Sequence, residues 1–222
     1  MNKKLLSIFF IVVLVQCASA QEIRFGVFAN PGLSWMKSDV SRISGNGSHY
    51  GINAGLTIDN FFAPHYAFST GISIHTIGGT LNYKEGKTLR TSDGDIVLNP
   101  GEGDVAYNLQ YLHIPLGLKL RSTEIGYSTY FVNLGVDPMM NVKSTANVKA
   151  KSLSKAGVGK EIKLFYMAYH VSAGLEYKIV GNTAAIVGIT YMNGFTDVTD
   201  NYDTATEKTV MHCFEIHLGL MF

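Results

Sequence analysis

Cys213, Glu215 and His217 alternate along the last strand-like run of this 222-residue chain. A thiol, a carboxylate and an imidazole on one face are donor types that hold a zinc-type ion. Alternate residues of one strand stand about 7 Å apart, too far to chelate one ion without donors from other strands. The run His212-Cys213-Phe214-Glu215-Ile216-His217 also lacks the helical spacing of a zinc-protease motif. No metal and no cofactor is therefore expected. Ser48 and His49 share one polar stretch, and Asp93, Asp95 and Asp197 lie in others. No spacing among them selects a triad, which is defined by geometry, and no enzyme is expected. Asp93-Gly94-Asp95 reads as a turn, because the other positions of a calcium loop are missing.

The elements that must carry these groups are strands. Period-two alternation recurs eight times, near Ile23–Met36, Tyr50–Phe62, Tyr66–Tyr83, Ala106–Arg121, Ile125–Val142, Lys163–Ile179, Asn182–Phe195 and Thr209–Phe222. Short connections (Asn60–His65, Ser122–Glu124, Val180–Gly181) alternate with long polar ones (Lys37–His49, Lys84–Val105, Lys143–Ile162, Thr196–Lys208). That rhythm predicts an all-β, eight-stranded, antiparallel, up-and-down transmembrane β-barrel, with periplasmic turns on one rim and extracellular loops on the other. Pro115 falls inside the fourth strand, where it cannot donate to the ladder, so a bulge or a locally missing bond is expected there.

The first twenty residues read as a cleaved secretory signal. Asn2, Lys3 and Lys4 form the basic start, Leu5–Val15 the apolar run, and Ala18-Ser19-Ala20 the cleavage site. Lipoprotein processing before Cys17 is disfavoured, because Gln16 stands where a small residue is needed. The barrel domain is then expected over residues 21–222. Lys and Arg number 18 against 17 Asp and Glu; removing Lys3 and Lys4 leaves 16 against 17, a net −1. Near neutrality gives no support for a nucleic-acid partner. Cys213 is the one cysteine left after cleavage, so no intramolecular disulfide can form.

Alternation alone does not say which face meets water. In the last strand Val210, His212, Phe214, Ile216, Leu218, Leu220 and Phe222 share one face. Leu112, Ile114, Leu116, Leu118 and Leu120 do the same in the fourth. The opposite rows are rich in Gly, Ser, Thr and Asn with scattered charges of both signs, as a narrow filled lumen requires. A solvated outer face would carry dense Lys and Glu. Aromatics gather at both ends of the apolar face: Phe62, Tyr66, Phe68, Tyr177 and Phe222 toward the short turns, Tyr50, Tyr169 and Tyr191 toward the long loops. Two belts suit two lipid–water interfaces. The apolar row is expected to face lipid in the cell outer membrane; the rival is a soluble lipocalin-like binder with that row inside.

With these features the chain resembles the β-barrel family of Bacteroidetes outer-membrane proteins that includes the PorT group. The resemblance rests on the leader, the hairpin rhythm, the segment Tyr111-Leu112-His113-Ile114-Pro115-Leu116 and the closing Leu218-Gly219-Leu220-Met221-Phe222. It implies an eight-stranded barrel and, for the PorT group, a part in type IX secretion. It supplies no catalytic motif. Phe222 is expected to act as the assembly signal read by the barrel-assembly machinery.

An eight-stranded barrel is just wide enough for side chains to fill. Inward charges must therefore pair or cost several kcal/mol each. The expected lumen network comprises Asp59, His75, His113, Lys119, Arg121, Asp137, His170, Glu176, Lys178, Glu215 and His217. Glu215 is expected to meet a cation near the first or seventh strand, or Lys119 across the lumen. The loop Lys143–Ile162 carries Lys143, Lys149, Lys151, Lys155 and Lys160, whereas Lys84–Val105 leans acidic. Expected partners are outer-membrane lipid and, through these loops, secretion-complex proteins or lipopolysaccharide. A structural or interaction role leads, with a small-solute channel or a barrel enzyme as the alternatives.

Overall fold

The structure is a computed structural model that describes residues 22–200 and 207–222. The expected leader lies outside the described residues. Twelve strands follow in order: β1 (Glu22–Ser38), β2 (Ile43–Ala63), β3 (Tyr66–Tyr83), β4 (Lys87–Thr91), β5 (Gly94–Leu98), β6 (Asp104–His113), β7 (Leu116–Arg121), β8 (Ser128–Val148), β9 (Leu153–Gly157), β10 (Phe165–Val180), β11 (Thr183–Gly194) and β12 (Thr209–Met221). Antiparallel pairing runs from β10 through β11, β12, β1, β2 and β3 to β6 and β7, then β8, and returns from β8 to β10. Since β6 and β7 are two halves of one stave, the ring has eight staves, and each pairs on both sides.

The break between β6 and β7 falls at Ile114–Pro115. His113 opposes Met139 and Leu116 opposes Val136, so the two residues between face Asp137 and Pro138 in unbroken register. Of the two expected alternatives at Pro115, the missing ladder bond is therefore the one present. Pro138 lacks an amide as well, and the Ile114 N–H donates to the Pro138 carbonyl at 3.1 Å across the gap. The bulge on this pair of staves lies higher, where Gln110 faces Lys143 and Tyr111 faces Asn141, leaving Val142 over.

The outer wall is apolar on every stave. Phe25, Leu56, Ile72, Leu118, Leu134, Val171, Ile189 and Ile216, one from each stave, are all exposed. Such a continuous band is unsustainable in water and suits hydrocarbon. Phe62, Tyr66, Tyr127, Tyr130, Tyr177 and Phe222 stand exposed toward the short-turn rim. Toward the other rim Tyr50 is 85% exposed, and Trp35 stacks on His212 with ring centroids 5.3 Å apart. Tyr169 and Tyr177 on β10 are separated by about 26 Å of strand. A strand tilt near 40° reduces this to roughly 20 Å of height, close to the apolar band of a small barrel.

The long connections differ from the expected polar loops. The staves run on above the membrane: β1 reaches Ser38 and β2 begins at Ile43, so most of Lys37–His49 is strand. Lys84–Val105 folds into the β4–β5 hairpin, and Lys143–Ile162 extends β8 and adds β9. These pieces close over the top of the barrel. Leu89, Leu98, Val158, Ile162 and Val198 roof an apolar layer that includes Met36, Ile77, Leu81, Leu109, Tyr111, Tyr166 and Met211.

Glu161, 1% exposed, ties the roof together. Its Oε1 accepts from the Arg90 backbone at 3.1 Å and from Arg90 Nε at 2.7 Å, and Lys87 Nζ lies 2.6 Å from Oε2. Burial alone would push this carboxyl up; the charge and hydrogen bond of Lys87, then the hydrogen bonds of Arg90, outweigh it and hold the group below the usual carboxylate range. Its contribution is therefore complete above that range and is lost as pH falls through the lowered value. Glu161→Gln should weaken the roof by about 1–3 kcal/mol. The check is limited proteolysis of the folded barrel in detergent: the variant's roof should be cut faster at neutral pH, and the wild type should approach it only in acid.

Candidate functional site

Below the apolar layer the lumen becomes ionic. Inward positions reach it by alternation, and small residues clear space for the larger groups. Gly117 on β7 and Gly135 on β8 face each other beneath the His170 ring; a Cβ at Gly135 would lie 2.6 Å from His170 Cε1. Three linked groups fill this half.

The first centres on Lys119 of β7. Its Nζ donates to Asp59 Oδ2 of β2 at 2.6 Å and to Glu176 Oε1 of β10. Arg24 of β1 donates through Nη1 to Glu176 Oε2 at 2.8 Å, and Ser69 Oγ donates to Asp59 Oδ1 at 2.6 Å. The Lys119 ammonium also lies 4.7 Å from the centre of the Phe131 ring. Two cations thus meet two carboxylates from four staves.

The second centres on Asp137 of β8, whose carboxylate is shared by His113 Nε2 at 2.8 Å and His170 Nδ1 at 2.9 Å. His113 Nδ1 in turn lies 3.0 Å from Ser73 Oγ. The order Ser73–His113–Asp137 has the composition of a hydrolytic triad, but the ring nitrogens are exchanged relative to the usual one. All three side chains sit inside the wall, Ser73 with 4% exposure.

The third centres on Glu215 of β12. His75 Nε2 of β3 is 2.7 Å from Oε1, Asn30 Nδ2 of β1 is 3.3 Å from Oε2, and Cys213 Sγ is 3.9 Å from Oε1. Glu215 thus takes His75 of β3 as its partner, where a cation near the first or seventh strand, or Lys119 across the lumen, was expected. His217 is half-buried between the rings of Phe28 and Phe131, with centroids 5.7 and 6.3 Å away.

Of the eleven expected lumen residues, Asp59, His75, His113, Lys119, Asp137, His170, Glu176 and Glu215 are buried in these groups. Arg121 and Lys178 stand instead at the short-turn mouth. Arg121 lies over the Phe61 ring at 3.9 Å and donates to the Pro64 carbonyl at 2.9 Å; Lys178 is exposed beside Glu124. Strand ends project inward-row side chains into solvent, which alternation does not reveal. Arg24 went unnamed in the sequence although it shares an inward row with Asn30 and Ser34. Reading that row would have found it. Arg24, Arg121 and Glu176 line a vestibule of about 380 Å³ open at this mouth.

Ser48, His49 and the aspartates of the long connections form no such cluster. Asp197 is engaged by Lys163 Nζ at 2.9 Å and by the Thr209 amide at 2.9 Å, and Asp95 stands opposite Arg90 in the β4–β5 hairpin.

A family model described as "Outer membrane protein beta-barrel domain" matches residues 18–200. Among solved structures, the outer membrane protein OprG from Pseudomonas aeruginosa is 13% identical with a TM-score of 0.52, covering 92% of this chain and 98% of that one. Neisserial surface protein A is 12% identical with a TM-score of 0.49, covering 89% and 95%. At 13% identity the likeness to OprG is one of fold. No curated protein matches the sequence.

Removing the central cation should be the most damaging single change in the lumen. Lys119→Met leaves Asp59 without a cation and is expected to cost about 3–5 kcal/mol in urea unfolding from detergent micelles. Adding Asp59→Asn should recover part of that loss, since Arg24 still meets Glu176.

Proposed function

The chain belongs to the outer membrane protein β-barrel domain family, and from that premise we propose that it is a plugged, non-conducting and non-enzymatic barrel of the outer membrane that works by docking partners. The observation that carries this reading is the roof: Leu89 and Val198 are 0% exposed above an apolar layer that fills the extracellular half of the lumen. A hydrated solute or ion would have to displace that layer, and the vestibule ends below it on the ionic groups. The Ser73–His113–Asp137 chain lies inside the wall, where an acyl substrate has no approach from the exterior. What remains available to a partner is the folded extracellular lobe, with exposed Lys149 and Lys155 and the acidic tip of the β4–β5 hairpin.

The resemblance of Tyr111–Leu116 and of the closing strand to the PorT group supports placing that partner among secretion or envelope-assembly components, type IX secretion first. Lysine-directed crosslinking in native membranes tests it. Lys149 is the better handle, because Lys151 is held by Glu102 at 2.8 Å. Recovery of secretion-complex subunits supports the reading, and recovery of bulk lipid alone counts against it. Planar-bilayer recordings of the purified barrel should show no unitary conductance; stable channel steps would replace this reading with that of a small-solute channel.

A further inference from the structure

Four carboxylates are buried in the lumen, Asp59, Asp137, Glu176 and Glu215, and two of them have fixed cations beside them. Lys119 and Arg24 neutralise Asp59 and Glu176. Asp137 and Glu215 have imidazoles beside them in place of lysine or arginine. Asp137 has two, His113 and His170. Glu215 has one imidazole, His75, and also the Cys213 thiol.

We propose that His75, Cys213 and Glu215 bind a single zinc-type divalent ion inside the barrel. One ring nitrogen of His75, the Cys213 sulfur and a Glu215 oxygen lie within 4.8 Å of one another, and all three side chains are buried. Tetrahedral bonds of 2.0–2.3 Å place such donors about 3.3–3.7 Å apart, so roughly an ångström of closure brings the three to bonding distance and leaves the fourth position to water. The spacing objection raised by the sequence holds for β12 alone. The missing donor comes from β3, two staves beyond β1 in the pairing order. Gly32 opens the way: it pairs with Glu215, and a Cβ there would stand 2.9 Å from Glu215 Cγ.

Two polar atoms beside the site are also unsatisfied. His75 is 2% exposed, yet its Nδ1 is buried without a hydrogen-bond partner, and so is Oδ1 of Asn53, the residue opposite it. Buried orphan acceptors are rare unless something unseen satisfies them. The charge count agrees. A neutral imidazole, a thiolate and a carboxylate around a divalent ion sum to zero, the least costly state in a dry interior. Mixed N, S and O donors select zinc-type ions over calcium or magnesium. Binding is balanced by protons: the thiol releases one, and the His75–Glu215 pair a second where it is protonated. The bound ion would fasten β3 to β12 across the lumen.

The test uses the full mature barrel refolded in detergent with a chelator, then titrated with Co²⁺ as a spectroscopic probe. One equivalent should bind, with a sulfur-to-cobalt charge-transfer band in the near ultraviolet and tetrahedral bands in the visible. Zn²⁺ should displace it. Cys213→Ser should abolish the charge-transfer band, and Glu215→Gln should weaken uptake by roughly tenfold or more. His49→Ala, outside the site, should change nothing. Folding of every variant is verified by heat-modifiable gel mobility. Should Cys213→Ser or Glu215→Gln fail to fold, thiol blocking of the folded wild type supplies the same comparison. Absence of the band in correctly folded wild type with excess Co²⁺ overturns the proposal, as does a band that survives in Cys213→Ser. Neither result bears on conductance or partner capture, so failure here leaves the docking reading standing.

Discussion

The pairing of β8 with β10, from Met140 against Phe165 down to Ser128 against Tyr177, joins the two ends of the sheet. Everything else depends on it. In hydrocarbon no water meets an unpaired amide, so an open sheet edge is untenable and a closed ring is the β solution. Closure at eight staves also fixes the width of the interior. At that width a side chain from one wall touches the opposite wall, which is why Lys119 of β7 reaches Glu176 of β10 and Asp59 of β2 together. The same narrowness leaves no bulk water to stabilise a lone charge, so the inward residues must neutralise one another.

The lumen is divided accordingly into an apolar layer under the roof and an ionic layer above the vestibule. The apolar layer contributes by burial and excludes water from above. That exclusion strengthens the ion pairs below it. The ionic layer draws from eight strands, β1, β2, β3, β6, β7, β8, β10 and β12. Arg24 with Glu176 and Lys119 with Asp59 and Glu176 join staves distant in sequence, so these pairs wait for the closed ring. Ring closure and charge neutralisation therefore arrive together, a strongly cooperative arrangement.

Much of this was legible in the sequence, and what was not has physical reasons. Alternation reports which way each side chain points, because that is a local property of an extended backbone. The eight staves, their outward rows and the aromatic belts follow from it, as does the fault at Pro115. Depth along the barrel axis is different: it depends on stagger between staves, which no single strand encodes. Glu215 and Lys119 were both expected inside, but their levels differ, and His75 is the group at the level of Glu215. Arg121 and Lys178 were displaced to the mouth for the same reason. The β4–β5 hairpin was missed because Lys87–Thr91 and Gly94–Leu98 are five residues each, too short for periodicity to register against polar neighbours. The role of Glu161 is invisible in sequence, since Lys87 and Arg90 come to it only when two connections fold together.

The gap at Ile114–Pro115 has a mechanical consequence. Pro115 and Pro138 sit on adjoining staves at nearly one depth, and neither has an amide to give. The Ile114 bond to Pro138 is the local tie across the seam. Asp137, next to Pro138, holds His113 and His170 at this same level, so the buried ionic group closes the seam where the ladder is interrupted.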